Sequence, residues 1–355
     1  MRNVGGEVIR YNDAVNVRRL PALPTVLALA ILLLLGLVFA AGVGEVRLAP
    51  GDVARAVGHR LLPSLVPPAD ELTTTVVLDL RLPRVLLAAL VGAALAVAGA
   101  ALQGLVGNPL ADPYTVGVSS GAAVGAGLAV LLGLSGALGG LALPLCAFAA
   151  ALLTMGLVFA LARVGGRLHT ASFLLSGIVV GSFLWAVMTL LLSLARTEQR
   201  VILNWLMGRF SDADWPRVAV LTPFVLAGVA LYTAAGRGMD AFSFGEDVAR
   251  SVGVSVERFK AGTLALAALL TAVAVSVSGI IGFVGLIVPH LTRALIGPPH
   301  RALIPASALL GALLTVVADL IARTVLPGEE IPVGVVTALL GAPFFALLLR
   351  RQMGR

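Results

Sequence analysis

The sequence predicts an all-α polytopic membrane protein of about ten transmembrane helices. Of its 355 residues, 59% are hydrophobic and 12% charged, about half the charged share of an ordinary soluble domain. The mean hydropathy is +1.02, and the apolar residues come in runs near the ~20 residues that span a bilayer. The net charge of +7 resides in loops between these runs. No single basic face collects it, so nucleic acid is not an expected partner.

The runs fall at about 22–43, 82–105, 114–134, 139–163, 171–195, 216–235, 260–280, 282–297, 302–325 and 332–349. The first follows Arg18 and Arg19 and exceeds the ~7–15 residues of a signal-peptide core, so it reads as a retained helix. Residues 1–19 then form a basic tail and 20–351 one transmembrane domain. With the N-terminus inside, 15 of the 25 Lys and Arg lie on the cytoplasmic side, the side such residues favour. An even number of spans puts both termini there. Lone Cys146 permits no disulfide within the chain. His59, His169, His290 and His300 have no metal-ligand spacing and read as loop or helix-end residues.

Two runs are interrupted. In QGLVGNPLADPYTVGVSSGAAVGAG (Gln103–Gly127), Asn108-Pro109 and Asp112-Pro113 end one helix and start another. Gly117, Gly121 and Gly125 follow in a small-xxx-small pattern that suits close helix packing. Packing does not account for Gln103, Asn108 and Asp112 on one segment. SGIIGFVGLIVPHLTR (Ser278–Arg293) again places glycines before a proline, Pro289. The two segments are spans 2–3 and 7–8. An odd shift of five spans gives them opposite directions, as in an inverted repeat, and paired interruptions point to a transport path. Such backbone is tolerated only against protein or a water-filled cavity.

The longest internal loop, about 237–260, holds DAFSFGEDVARSVGVSVERFK (Asp240–Lys260). Ser243 and Glu246 fit a capping box and Gly253 a C-cap, with Val248, Ala249 and Val252 on one face of a short helix. A loop helix lying on the bilayer and a docking element for a soluble partner both fit. The helix is too short to be stable alone in water.

Enzyme signatures are missing. No G-x-x-x-x-G-K-[ST] occurs, and the one lysine, Lys260, precedes Ala261, so a phosphate-binding loop is excluded. There is no H-E-x-x-H or G-x-S-x-G. Glu329 and Glu330 form an acidic pair in an outer loop. Asp319 and Arg323, four apart in span 9, can pair on one helix face. The residues leave a transport subunit powered by another protein, or a membrane enzyme with an unfamiliar site.

RLPRVLLAALVGAALAVAGAALQGLVGNPLADPYTVGVSSGA, NWLMGRF, GEDVARSVGV, GFVGLIVPHLTR, ADLIAR and PVGVVTALLGAPFFALLL strongly resemble the FecCD family over about Val46–Arg351. The resemblance implies a vitamin B12-importer-permease-like fold (type II ABC importer) in the inner membrane, moving ferric siderophores, or alternatively haem or cobalamin. It implies two cytoplasmic ATPases that hold ATP-Mg, an external substrate-binding protein and a second permease, identical or paralogous. This chain is expected to bind no metal or cofactor and to have no catalytic residue. By the same resemblance, Glu246, Asp247, Val248, Arg250, Ser251, Val252 and Gly253 couple to the ATPase. Arg81, Arg84 and Arg323 dock the binding protein, with Asp319 free to orient Arg323. Asn108, Leu110, Thr170 and Ala171 form the inner gate, with Gln103 on the pathway. Ala171 replaces a hydroxyl residue common in relatives.

Overall fold

The computed structural model describes residues 19–44, 48–165, 167–326 and 328–353. All but Arg19 of the predicted basic tail lies outside them. Ten apolar helices run through the described chain, seven long enough to cross a bilayer and three shorter. They are α1 (Ala22–Gly42), α4 (Leu82–Val106), α5 (Val118–Leu131), α6 (Ala142–Ala162), α7 (Thr170–Leu194), α9 (Trp215–Phe242), α11 (Val256–Ser278), α12 (Val284–Ile296), α13 (His300–Ala322) and α14 (Val333–Met353). Four short helices lie outside these spans or extend them: α2 (Pro50–Leu61), α3 (Glu71–Thr75), α8 (Gln199–Leu206) and α10 (Glu246–Ser251). A two-residue antiparallel pair, Arg163–Val164 with Arg167–Leu168, joins α6 to α7.

The second span begins earlier than expected. Asp70 caps α3 by accepting the Thr73 N–H at 2.9 Å, and its hydrogen bonds with Thr73 hold the carboxyl below its usual range. The helix then continues through a π-turn, Val76–Arg81, into α4. Pro83 explains the wide turn, since a proline has no N–H to donate and its ring crowds the carbonyl four residues back. The Leu82 N–H reaches Val77 instead, five residues back.

Helix α4 is the centre of the bundle, buried along most of its length. Inside a bilayer, apolar side chains gain little by leaving lipid for protein, so association depends on close backbone approach and hydrogen bonds. Gly92 faces the Gly311 carbonyl and Thr315 of α13, and Gly99 faces the Gly285 carbonyl of α12. Thr315 Oγ1 donates to the Ala88 carbonyl at 2.7 Å. Gly121 and Gly125 give α5 the same approach to Thr154 and Cys146 of α6, as their spacing predicts.

Candidate functional sites at the two ends of the bundle

The loop between α9 and α11 is pinned by charge. Lys260, 4% exposed, sends Nζ to Glu246 and Glu257, each at 3.1 Å. Glu257 also accepts the Leu168 N–H at 3.0 Å, tying α11 to the strand pair before α7. A buried ammonium is tolerable only when paired in this way.

The predicted capping box does not form. Ser243 is instead the C-cap of α9, and its hydroxyl donates back to the Met239 carbonyl. Glu246 is taken by Lys260. The predicted C-cap does form: Gly253 has φ +87°, its N–H donates to Arg250, and the Val254 N–H donates to Ala249, a Schellman pair.

The predicted apolar face divides. Ala249 is fully buried, while Val248 and Val252 are 43% and 64% exposed and Phe244 is 78% exposed. Phe244 escaped the sequence reading, although its four-residue spacing from Val248 and Val252 was there to find. Asp247 and Arg250 pair at 3.2 Å on the open surface. The Ser251 hydroxyl donates to the Val248 carbonyl.

At the opposite end, Arg81, Arg84 and Arg323 come together, but none presents an unengaged guanidinium. Arg81 is buried and donates from Nη1 to the Ala41 and Gly42 carbonyls at 3.1 and 3.0 Å. Arg323 donates from Nη2 to the Ala40 carbonyl. Both therefore neutralise the negative C-terminal end of α1. The carbonyls left over when α1 stops need donors, and these side chains supply them.

Arg84 grips Asp319 with Nη2 at 2.8 Å and Nε at 3.0 Å, and its Nη1 reaches Glu330 at 2.7 Å. Asp319 thus orients Arg84 first. Arg323 Nε stands 3.6 Å from it, beyond hydrogen-bond reach. Glu330, which the sequence left without a partner, is half-exposed above the pair.

The two helix breaks meet inside the bundle. Tyr114 donates its hydroxyl to the Ile281 carbonyl at 2.9 Å and accepts the Ile281 N–H at 3.1 Å. Gln103 reaches across from α4 to α12. It is 3% exposed, donates to the Gly285 and Leu286 carbonyls at 3.2 Å, and accepts from Arg293. Pro289 has no N–H to give the Gly285 carbonyl four residues back, and Gln103 supplies a donor in its place, as a buried backbone requires.

Asn108 and Leu110 remain exposed. Asn108 Oδ1 accepts the Leu110 N–H at 2.9 Å, a local turn that holds the loop's shape. Thr170 and Ala171 open α7 at the surface. Further along α7, an open groove of about 350 Å³ lies against the turn at Pro113–Val116, lined by Thr115, Ser120, Ser182 and Trp185 among others. The sequence did not mark this groove, because its wall combines segments about 60 residues apart.

Ten apolar helices, with two interrupted spans at the core and an ordered loop at one end, define a polytopic membrane protein. The chain belongs to the FecCD transport family, whose pattern matches residues 31–351. It is 45% identical over 326 residues to the ABC transporter permease protein YvrB of Bacillus subtilis, covering 91% of each chain. The cobalamin import system permease protein BtuC of Halobacterium salinarum is 46% identical over 280 residues, 79% of this chain and 74% of that one. A solved structure of a metal-chelate type ABC transporter in an inward-facing conformation superposes with a TM-score of 0.81 at 31% identity, covering 92% of this chain and 99% of that one.

Proposed function

We propose that this permease moves a ferric siderophore inward across the cytoplasmic (inner) membrane, with both termini in the cytoplasm. Two partner ATPases hold ATP-Mg and supply the energy. A substrate-binding protein delivers the chelate from outside, and a second permease, identical or paralogous, completes the path. Likeness to a metal-chelate type transporter supports a metal chelate as the cargo, and similarity to the Fe(3+) dicitrate transport system permease protein FecD of Escherichia coli, 42% identical over 278 residues, supports iron. The cobalamin relative supports cobalamin as the second reading, with haem in the same chelate class.

One observation carries the mechanism. Phe244, Val248 and Val252 leave apolar side chains exposed on a loop that Lys260 otherwise fixes rigidly through Glu246 and Glu257. Such a surface fits a cleft in a soluble partner. Glu246, Asp247, Arg250 and Ser251 form its polar rim, and Gly253 shapes its end. ATP-dependent closure of the partner would then bias one of two packings of the helices. Asn108, Leu110, Thr170 and Ala171 are the gate of this reading, with Leu110 closing it by bulk and dewetting. The groove at Ser120, Ser182 and Trp185 lines the path. At the other end, Arg84 would take a carboxylate of the binding protein where the half-exposed Glu330 gives up Nη1.

The test is reconstitution in liposomes with the ATPase and with binding protein loaded in turn with ferric siderophore, haem or cobalamin. The ferric siderophore alone should drive both hydrolysis and uptake. Response to cobalamin or haem instead would replace the substrate. If the permease neither binds an ATPase nor responds to any loaded protein, the importer reading fails and a membrane enzyme is reopened.

A further inference from the structure

His300 begins α13 and is read from sequence as an ordinary helix-end histidine. It does stand at a helix end, is 3% exposed, and touches two elements that the mechanism must connect. On one side is Asp240, in the last turn of α9, just before the exposed loop. Asp240 Oδ1 accepts both the His300 backbone N–H at 2.9 Å and ring Nδ1 at 2.7 Å. The carboxylate therefore caps α13 and orients the imidazole with one oxygen. On the other side is Gly104, in the last turn of α4. A Cβ there would lie 2.3 Å from His300 Nε2, so the ring edge rests directly on the α4 backbone. Nε2 has no hydrogen-bond partner.

Two features make this junction stiff. A Cβ on Gly236 of α9 would lie 2.9 Å from the Arg301 backbone nitrogen, so α9 and the start of α13 already pack at backbone distance. After Gly104, α4 has two more residues before Gly107 ends it with φ +65°. The Asn108–Leu110 turn follows at once. The α9 end and α4 are thus joined through the Asp240 carboxylate and one buried ring.

We infer that His300 is the positioning residue that couples the exposed loop after α9 to the 108–110 turn after α4. It acts through Asp240 on one side and Gly104 on the other, and touches neither nucleotide nor chelate. The inference rests on the importer reading above.

The test is uptake per ATP hydrolysed by the full reconstituted transporter with its loaded binding protein. In H300L, which keeps bulk but cannot donate to Asp240, this ratio should fall at least about fivefold while hydrolysis persists. H300N places an amide N–H where Nδ1–H stood and should stay within about twofold of the parent. G104A keeps both Asp240 and His300 but displaces the ring from its seat on α4, and should lower the ratio as H300L does. It also serves if H300L does not assemble. An unchanged ratio in H300L or G104A overturns the inference. So does a parallel fall of uptake and hydrolysis in H300L and H300N alike, which marks a purely structural residue. Failure of the parent protein to take up any chelate overturns the importer reading itself, and this inference with it, so the two failures are distinguishable.

Discussion

Arg84 and Asp319, 235 residues apart in sequence, form a two-pronged ion pair at 2.8 and 3.0 Å, with Asp319 1% exposed and the Arg84 side chain 13% exposed. The pair joins the start of the central helix α4 to the end of α13. Both nitrogens converge on Asp319 Oδ1, and Nε also reaches Oδ2 at 3.2 Å, so charge-assisted hydrogen bonds hold the pair.

Breaking that pair by D319A should cost about 3–5 kcal/mol, since it leaves a largely buried guanidinium without its main partner. Thermal unfolding in detergent checks this. Replacing both residues by apolar ones of similar volume should recover much of the loss. A D319A protein as stable as its parent would show that the pair contributes nothing to holding the helices.

Glu330 has a different weight. It is half-exposed and occupies only Nη1 of Arg84. E330Q should change stability by no more than about 1 kcal/mol. It should also tighten docking of an acidic binding-protein surface by up to about fivefold at low salt, an effect that fades as salt is added. Titration of labelled binding protein against nanodisc-held permease at two ionic strengths reads this directly. Weaker docking would mean that Glu330 itself contacts the partner.

The exposed stripe on the loop after α9 predicts an asymmetry. F244D or V252D should weaken ATPase assembly at least about tenfold, the cost of placing a charge in an apolar contact. Exchanging the exposed pair as D247R/R250D should leave stability within about 0.5 kcal/mol, because such a surface pair contributes little. Co-purification and unfolding midpoints distinguish these outcomes. Full assembly by F244D would remove the stripe from the docking surface.

Close packing along α4 predicts a contrast between two glycines. A Cβ on Gly99 would sit 1.9 Å from the Gly285 carbonyl oxygen, whereas one on Gly156 meets nothing within 4 Å. G99A should therefore destabilise by at least about 1–3 kcal/mol through overpacking. G156A, in the interior of α6, should stabilise by about 0.5–1 kcal/mol through helix propensity. Melting curves of the two purified variants check both signs.

The sequence by itself determined the membrane class, the ten apolar helices, the two interruptions and the turn that closes α10, because each is a local property. Hydropathy is summed over a window, a proline acts on its own turn, and the left-handed conformation at Gly253 needs only that residue and its neighbours. The partners of buried charge were not legible. Glu246 could cap its own helix or pair with Lys260, and the choice depended on where α11 packs. Arg81 and Arg323 read as surface cations until the stop of α1 placed three carbonyls beside them. Gln103 gave no sign of its partner, because the Gly285 carbonyl that Pro289 leaves without a donor lies 182 residues away. Only the tertiary structure decided these, because a buried polar group must satisfy its hydrogen bonds with whatever the fold brings near, and that neighbour lies up to 283 residues away.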